Sequence, residues 1–346
     1  MTKQRQPWLA NPLLESLFIL LPGIVPVAIV LMFQDYFTTH EVSTFWWIVL
    51  VICIDVSHVY STLFRLYWDK ETFIAHRRLL IIIPAVAFVV GFSLHWYDSM
   101  LFWRILAYVA VYHFVRQQYG FIRLYARNES FKVLHRRIDT FAVYNATVYP
   151  LLYWHIHATD KIAWFIKGGF VSIDAGGYDN VLTIVYAAIL LAYIVKEVFI
   201  YVRQGTVNVP KNLIMAGTYL SWYFGIVAFQ GDLIFTILNV VVHGIPYMAL
   251  IWLYGEKKSG NRFSFGMKQA LVFVSVLIVL AYCEEYFWDA LIWNDHEEVF
   301  FGMSGLALSN SLLVSLLVAV LVLPQVTHYV LDGFIWRFSK HAGARI

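Results

Sequence analysis

Four histidines, His58, His113, His243 and His328, each lie in a long apolar stretch and each shortly precedes a basic cluster. Lys70 follows His58 by 12 residues, Arg123 follows His113 by 10, Lys257 follows His243 by 14 and Arg337 follows His328 by 9. At 1.5 Å per helical residue, these spacings set the imidazoles about 14–21 Å from a basic edge. A polar ring in hydrocarbon is costly enough to read as functional, and imidazole is the commonest protein ligand for transition metals. Four at one depth, on helices running the same way, could offer nitrogens to a single cation. Iron leads on this donor set, with zinc or haem iron as alternatives; Ca²⁺ or Mg²⁺ would require a cage of oxygens.

Neutral imidazoles leave a divalent ion's charge uncompensated, so carboxylates are expected nearby. Asp55 lies three residues before His58 and Asp332 four after His328, each on its histidine's helical face. A carboxylate cannot easily bond the ring of its own neighbour and a metal as well. Asp55 and Asp332 are therefore expected to orient histidines on adjacent helices. Gln117 is four residues on from His113, and Tyr247 is one turn beyond His243. Both are candidate catalytic residues, with the Tyr247 hydroxyl placed to donate to a bound oxygen species. Pro324 is expected to kink the chain just before His328, and Gly244 and Pro246 to loosen the helix around His243 or let it pack closely. Arg65 and Arg337 fall near helix ends, where snorkelling to headgroups would account for them.

The elements that must hold these residues are membrane helices. Of 346 residues, 60% are hydrophobic and 14% charged, against about 45–50% and 25% in a soluble domain. Ten apolar segments reach spanning length, near 13–34, 44–68, 77–97, 99–122, 138–157, 180–203, 212–229, 233–254, 269–293 and 309–337. The seventh, with Gly217 and Gly225, is the weakest of the ten. With the N-terminus inside, alternate loops hold Lys70, Arg77 and Arg78; Arg123, Arg127, Lys132, Arg136 and Arg137; Arg203 and Lys211; and Lys257, Lys258, Arg262 and Lys268. The outer loops hold only Lys161 and Lys167. This alternation puts both termini in the cytoplasm. The expectation is an all-α, polytopic bundle of about ten transmembrane helices, one transmembrane domain over 1–346, in a bacterial inner membrane. Its surroundings are the lipid bilayer, and the short basic loops do not point to nucleic acid.

Other polar residues are placed by the same reading. His95, His155 and His157, with Asp98 and Asp160, form an outer set that suits interfacial residues. Glu284 and Glu285 fall inside the ninth span, where a carboxylate pair is expected to face protein or water. His76, His135, His296 and His341 fall in loops or at the tail. Cys53 and Cys283 read as buried small apolar residues.

The layout of one histidine per helix resembles the bacterial Brp/Blh-type membrane carotene dioxygenases. The motifs are Asp55-Val56-Ser57-His58, Tyr112-His113-Phe114, Val242-His243-Gly244 and Pro324…His328…Asp332. Here the aspartate precedes the first histidine, Tyr247 stands where that family has a further histidine, and Pro324 is four residues from His328. The resemblance implies a buried, histidine-ligated metal. The leading reading is thus an iron-dependent membrane oxidoreductase or oxygenase acting on an apolar, lipid-like or isoprenoid small molecule. A transporter or channel for metal ions or protons, and a b-type haem protein, are the alternatives.

Overall fold

A computed structural model describes residues 6–129, 133–157, 164–174, 176–259, 266–300 and 311–338. All regular structure among them is helical. The elements are α1 (Pro12–Gly23), α2 (Val25–Met32), α3 (Gln34–Thr39), α4 (Thr44–Tyr67), α5 (Lys70–Tyr97), α6 (Ser99–Tyr125) and α7 (Val133–His157), then α8 (Asp179–Gln204), α9 (Val209–Trp222), α10 (Asp232–Ser259), α11 (Met267–Trp293), α12 (Ser311–Leu321) and α13 (Leu323–Phe338). Helices cover most of the described residues of each of the ten apolar segments. Among the described residues, five continuous helices (α4, α5, α8, α10 and α11) are long and apolar enough to cross a membrane, and the number rises to seven if each of the bent pairs α1–α2 and α12–α13 is one span.

Local chemistry sets the ends. Asn11 accepts from the Leu13 and Leu14 amides to start α1, with Pro12 as the first helical residue. Ser43, Asp69 and Asn208 cap α4, α5 and α9 in the same way. Gly205 takes φ 66°, the left-handed turn that ends α8. Pro324 has no amide hydrogen for the preceding turn, and α12 and α13 meet at 41° just before it.

Internal contacts divide the chain into two compact units. The first comprises Met1–Glu41 and Phe114–Pro246, and the second Val42–His113 and Tyr247–Ile346. In the first, α7 packs on α8 and α9, and α9 packs on α1. Gly23 and Gly217 face each other there, and a Cβ on either would come within 3.0 Å of the other's backbone. Small residues let two backbones approach this closely, as is common between membrane helices. In the second unit, α5 packs on α12 and α13, while α4 packs on α11 and α13.

Winding in α4 is unusual. Ile48–Val56 and Leu63–Tyr67 take the wider turns of a π-helix on either side of Ser57–Thr62, the turn that holds His58. Such turns are rare and cluster at functional sites.

Candidate metal centre

The second unit brings three of the four histidines together. His58 on α4, His113 on α6 and His328 on α13 are all buried, at 1%, 2% and 1% exposure. One ligand nitrogen from each lies within 4.8 Å of the others. The His58 ring is edge-on to His328 at 4.9 Å between centroids, and nearly parallel to His113 at 6.4 Å.

The closest approach is between His113 Nε2 and His328 Nε2, at 3.0 Å. The far nitrogen of each ring is engaged elsewhere. His113 Nδ1 lies 3.3 Å from Asp332 Oδ2, and His328 Nδ1 lies 2.7 Å from Thr62 Oγ1. An ionised carboxylate only accepts, so His113 donates from Nδ1. With His328 donating from Nδ1 to Thr62, each ring turns an Nε2 lone pair toward the other. With His328 accepting from Thr62 instead, its Nε2 donates to His113 and the neutral pair is satisfied; with both Nδ1 atoms donating, the two facing lone pairs suit a proton or a metal cation between them. An outward nitrogen held by a carboxylate or hydroxyl is also how proteins fix the tautomer of metal-binding histidines.

Asp332 thus meets a histidine on another helix, as the sequence reading places it. Asp55 does not. Its Oδ1 lies 3.8 Å from Nδ1 of His58 on its own helix, and its side chain is 34% exposed. That is an ion-pair separation, beyond a hydrogen bond. Tyr247 is fully buried beside the trio, its ring 4.9 Å from His328 and 5.9 Å from His58. Its hydroxyl lies 3.4 Å from Thr62 Oγ1. Thr62 was not among the residues singled out from sequence. Its signal is the same one that marks Asp55 and Asp332: it stands one turn from a histidine, on the same face.

Carboxylate Glu284 of α11 joins the helices that carry two of these histidines. It accepts from Tyr60 Oη at 2.6 Å on α4, from Gln325 Nε2 at 3.3 Å on α13, and from Trp288 Nε1 at 3.3 Å. The buried carboxylate is thereby satisfied inside the protein, as an intramembrane acid must be.

His243 belongs to the first unit. It is fully buried, its ring stacked on Phe114 at 3.6 Å between centroids and 11° between planes. Gln117 donates from Nε2 to the His243 carbonyl at 2.8 Å. The Gln117 amide therefore braces the backbone of α10 at the histidine's own turn. All four imidazoles are buried, and such a group can bind a metal ion.

Elsewhere the polar residues find simpler surroundings. Arg65 does not snorkel: it is 1% exposed, with its guanidinium 3.5 Å from the Tyr254 ring centroid. This cation–π contact gives the charge a partner without lipid headgroups. His95 bonds Ser315 and Ser99. In the other unit, His155 bonds the Leu151 carbonyl and His157 lies 3.5 Å from Asp179. Asp98 accepts from the Leu101 amide at the start of α6. His76 and His135 are in helices rather than loops, His76 at a distorted turn of α5. His296 stacks on Trp47. Cys53 is half-buried and Cys283 exposed, so only the first approaches the buried position expected of both. Asp160 and His341 lie outside the described residues, and so does the side chain of Arg337.

Searches with this chain match no protein-family model, no curated protein and no solved structure.

Proposed function

We propose that this chain is a metal-dependent oxidoreductase of the membrane, with His58, His113, His243 and His328 as ligands to one ion. The observation that carries the reading is the pair of Nε2 atoms facing each other at 3.0 Å, each backed by a hydrogen-bonded Nδ1. With metal–nitrogen bonds of about 2.0–2.1 Å, neighbouring ligands at right angles lie about 3 Å apart and opposed ligands about 4 Å apart. The observed spacing suits two neighbouring ligands of one ion better than the two axial ligands of a haem.

His243 joins the set by an argument from chain continuity. It stacks on Phe114, the residue after His113, and stands one turn before Tyr247, which packs on His58 and His328. Asp332 offsets part of the ion's charge through His113. A metal explains four buried imidazoles, whereas a shared proton needs only two.

Iron is the proposed ion, because an oxygenase site needs a position left open beyond four nitrogens and iron accepts five or six ligands. It would supply dioxygen chemistry. The chain's own residues orient the imidazoles, exclude water, and offer the Tyr247 hydroxyl as a hydrogen-bond donor. The proposed substrate is an apolar, lipid-like or isoprenoid molecule entering from the bilayer, in keeping with the resemblance to the Brp/Blh-type dioxygenases. Ten crossings, cytoplasmic termini and a bacterial inner membrane complete the proposal, supported by the alternation of basic loops.

Elemental analysis of detergent-purified protein tests the centre. About one iron per chain is expected, lost in each of His58→Ala, His113→Ala, His243→Ala and His328→Ala. Protein without metal, or variants that all retain it, would overturn the reading. One tightly held zinc would make the site structural and end the enzymatic reading.

A further inference from the structure

We infer that Thr62 is a positioning residue for this centre: its hydroxyl sets the tautomer of His328 and passes the hydrogen bond on to Tyr247. The inference rests on the reading of His328 as a metal ligand. Threonines inside helices usually turn back to the carbonyl one turn before. Thr147, Thr183 and Thr218 do so in this chain, bonding the carbonyls of Val143, Asp179 and Ile214. Thr62 instead reaches across to α13, with Oγ1 2.7 Å from His328 Nδ1 and 3.4 Å from the Tyr247 hydroxyl. It does so where α4 opens into the wide turns of Leu63–Tyr67. The side chain is 4% exposed, so water does not compete for it.

Proton counting gives the chain of bonds a direction. A threonine hydroxyl holds one proton and can accept as well as donate. When His328 binds a metal through Nε2, its remaining proton is on Nδ1 and goes to Thr62. The Thr62 proton then points to the Tyr247 oxygen. The phenolic proton of Tyr247 is in turn directed away from Thr62. One hydroxyl thereby keeps the His328 lone pair on the metal side and leaves the Tyr247 proton to the Asp332 carboxylate, the acceptor that also holds His113. Valine has nearly the same shape and does neither.

Cobalt(II), whose visible bands report nitrogen coordination, is the probe. It would be titrated into metal-depleted full-length protein in detergent. Thr62→Val is expected to bind it about 10–100-fold more weakly, the usual consequence of losing such an outer partner, with shifted bands. Thr62→Ser keeps the hydroxyl and should bind within a few-fold of the parent. Thr62→Ala removes it without adding bulk and serves as the second deletion. Parental affinity and spectrum in either hydroxyl-free variant would overturn the inference. So would a Thr62→Ser variant as weak as Thr62→Val, or metal-free deletion variants that no longer fold, because each would reduce Thr62 to packing. His328→Ala separates the two levels. If it binds cobalt as the parent does, the ligand reading fails; if it loses cobalt while Thr62→Val keeps it, only the role of Thr62 fails.

Discussion

The first unit buries a cluster of charges, and the second buries a cluster of imidazoles; the two solve opposite problems. In the first, Lys196 pairs with Asp139 and Glu197, while Lys211 Nζ lies 2.7 Å from Glu197 and 2.9 Å from Glu129. Asn212 donates to the second Glu197 oxygen at 2.9 Å and accepts from Tyr193 at 2.9 Å. Donors there meet acceptors, and the cluster is complete as built. In the second unit, the nearest atoms of His113 and His328 are both ring nitrogens, and in the tautomer in which both outer nitrogens donate, their lone pairs face each other. That arrangement is complete only with something positive added. Burial is nearly equal in the two clusters, so burial is not what distinguishes a structural polar group from a binding site. The sign and direction of the hydrogen bonds distinguish them.

The largest expected effect comes from breaking the self-sufficient cluster. Lys211 is fully buried among Glu129, Asp139 and Glu197. Removing one partner of a buried ion pair costs about 3–5 kcal/mol, because the remaining charges stay buried. Lys211→Met should lower the melting temperature in detergent sharply, whether or not metal is supplied. Adding Glu197→Leu should recover part of the loss, since replacing both partners by apolar groups is often near neutral. A Lys211→Met protein as stable as the parent would show that water or lipid headgroups already reach this cluster.

Next comes the imidazole cluster, where the opposite pattern is expected. His113→Ala should abolish stoichiometric metal yet leave the metal-free protein folded, with little change in helical circular dichroism. No apolar partner substitution should restore the metal. Asp332→Asn is milder. An amide accepts from His113 Nδ1 more weakly and brings no charge to the ion, so affinity for the metal should fall about 10–100-fold. An unchanged affinity in a metal titration would place Asp332 in packing alone.

These contrasts also mark what could be read from residues in order. The helices were legible because apolar runs are a local signal, and helices cover most of the described residues of each expected segment. The histidine layer was legible because four rings share a spacing from a basic edge. The pairing of Asp332 with another helix followed from the limits of one-helix geometry. Partners far apart in sequence were not legible. Asp139 and Lys196 are 57 residues apart, and Lys211 counts as an ordinary loop cation until the fold buries it. The register of Asp55 was lost for a different reason. The wide turns of Ile48–Val56 break the 3.6-residue period on which a face assignment depends.

The smallest effect tests whether the second unit also contains a self-sufficient ion pair, outside its apolar layer. Asp69 lies between α4 and α5, where Lys258 Nζ approaches both its oxygens at 2.6 Å and the Thr72 amide donates at 3.0 Å. Partial burial pushes the carboxyl up, but these donors outweigh it and hold Asp69 below the usual carboxylate range. A carboxylate whose folded value is depressed stabilises the fold above its unfolded value, about 3.9, and loses that contribution as pH falls through the folded value. Asn at this position still caps α5, so Asp69→Asn removes the charge and keeps the cap. The parent should exceed Asp69→Asn in stability at neutral pH by no more than about 1 kcal/mol, given that Lys258 is partly exposed. The gap should shrink as pH falls below about 4, the unfolded value, and close once pH has passed the depressed folded value. Melts of both proteins at neutral and acid pH, at low and high salt, read this directly. A gap that persists in acid would mean that the carboxyl acts through shape rather than charge, and the second unit's ion pair would then differ in kind from the cluster around Lys211.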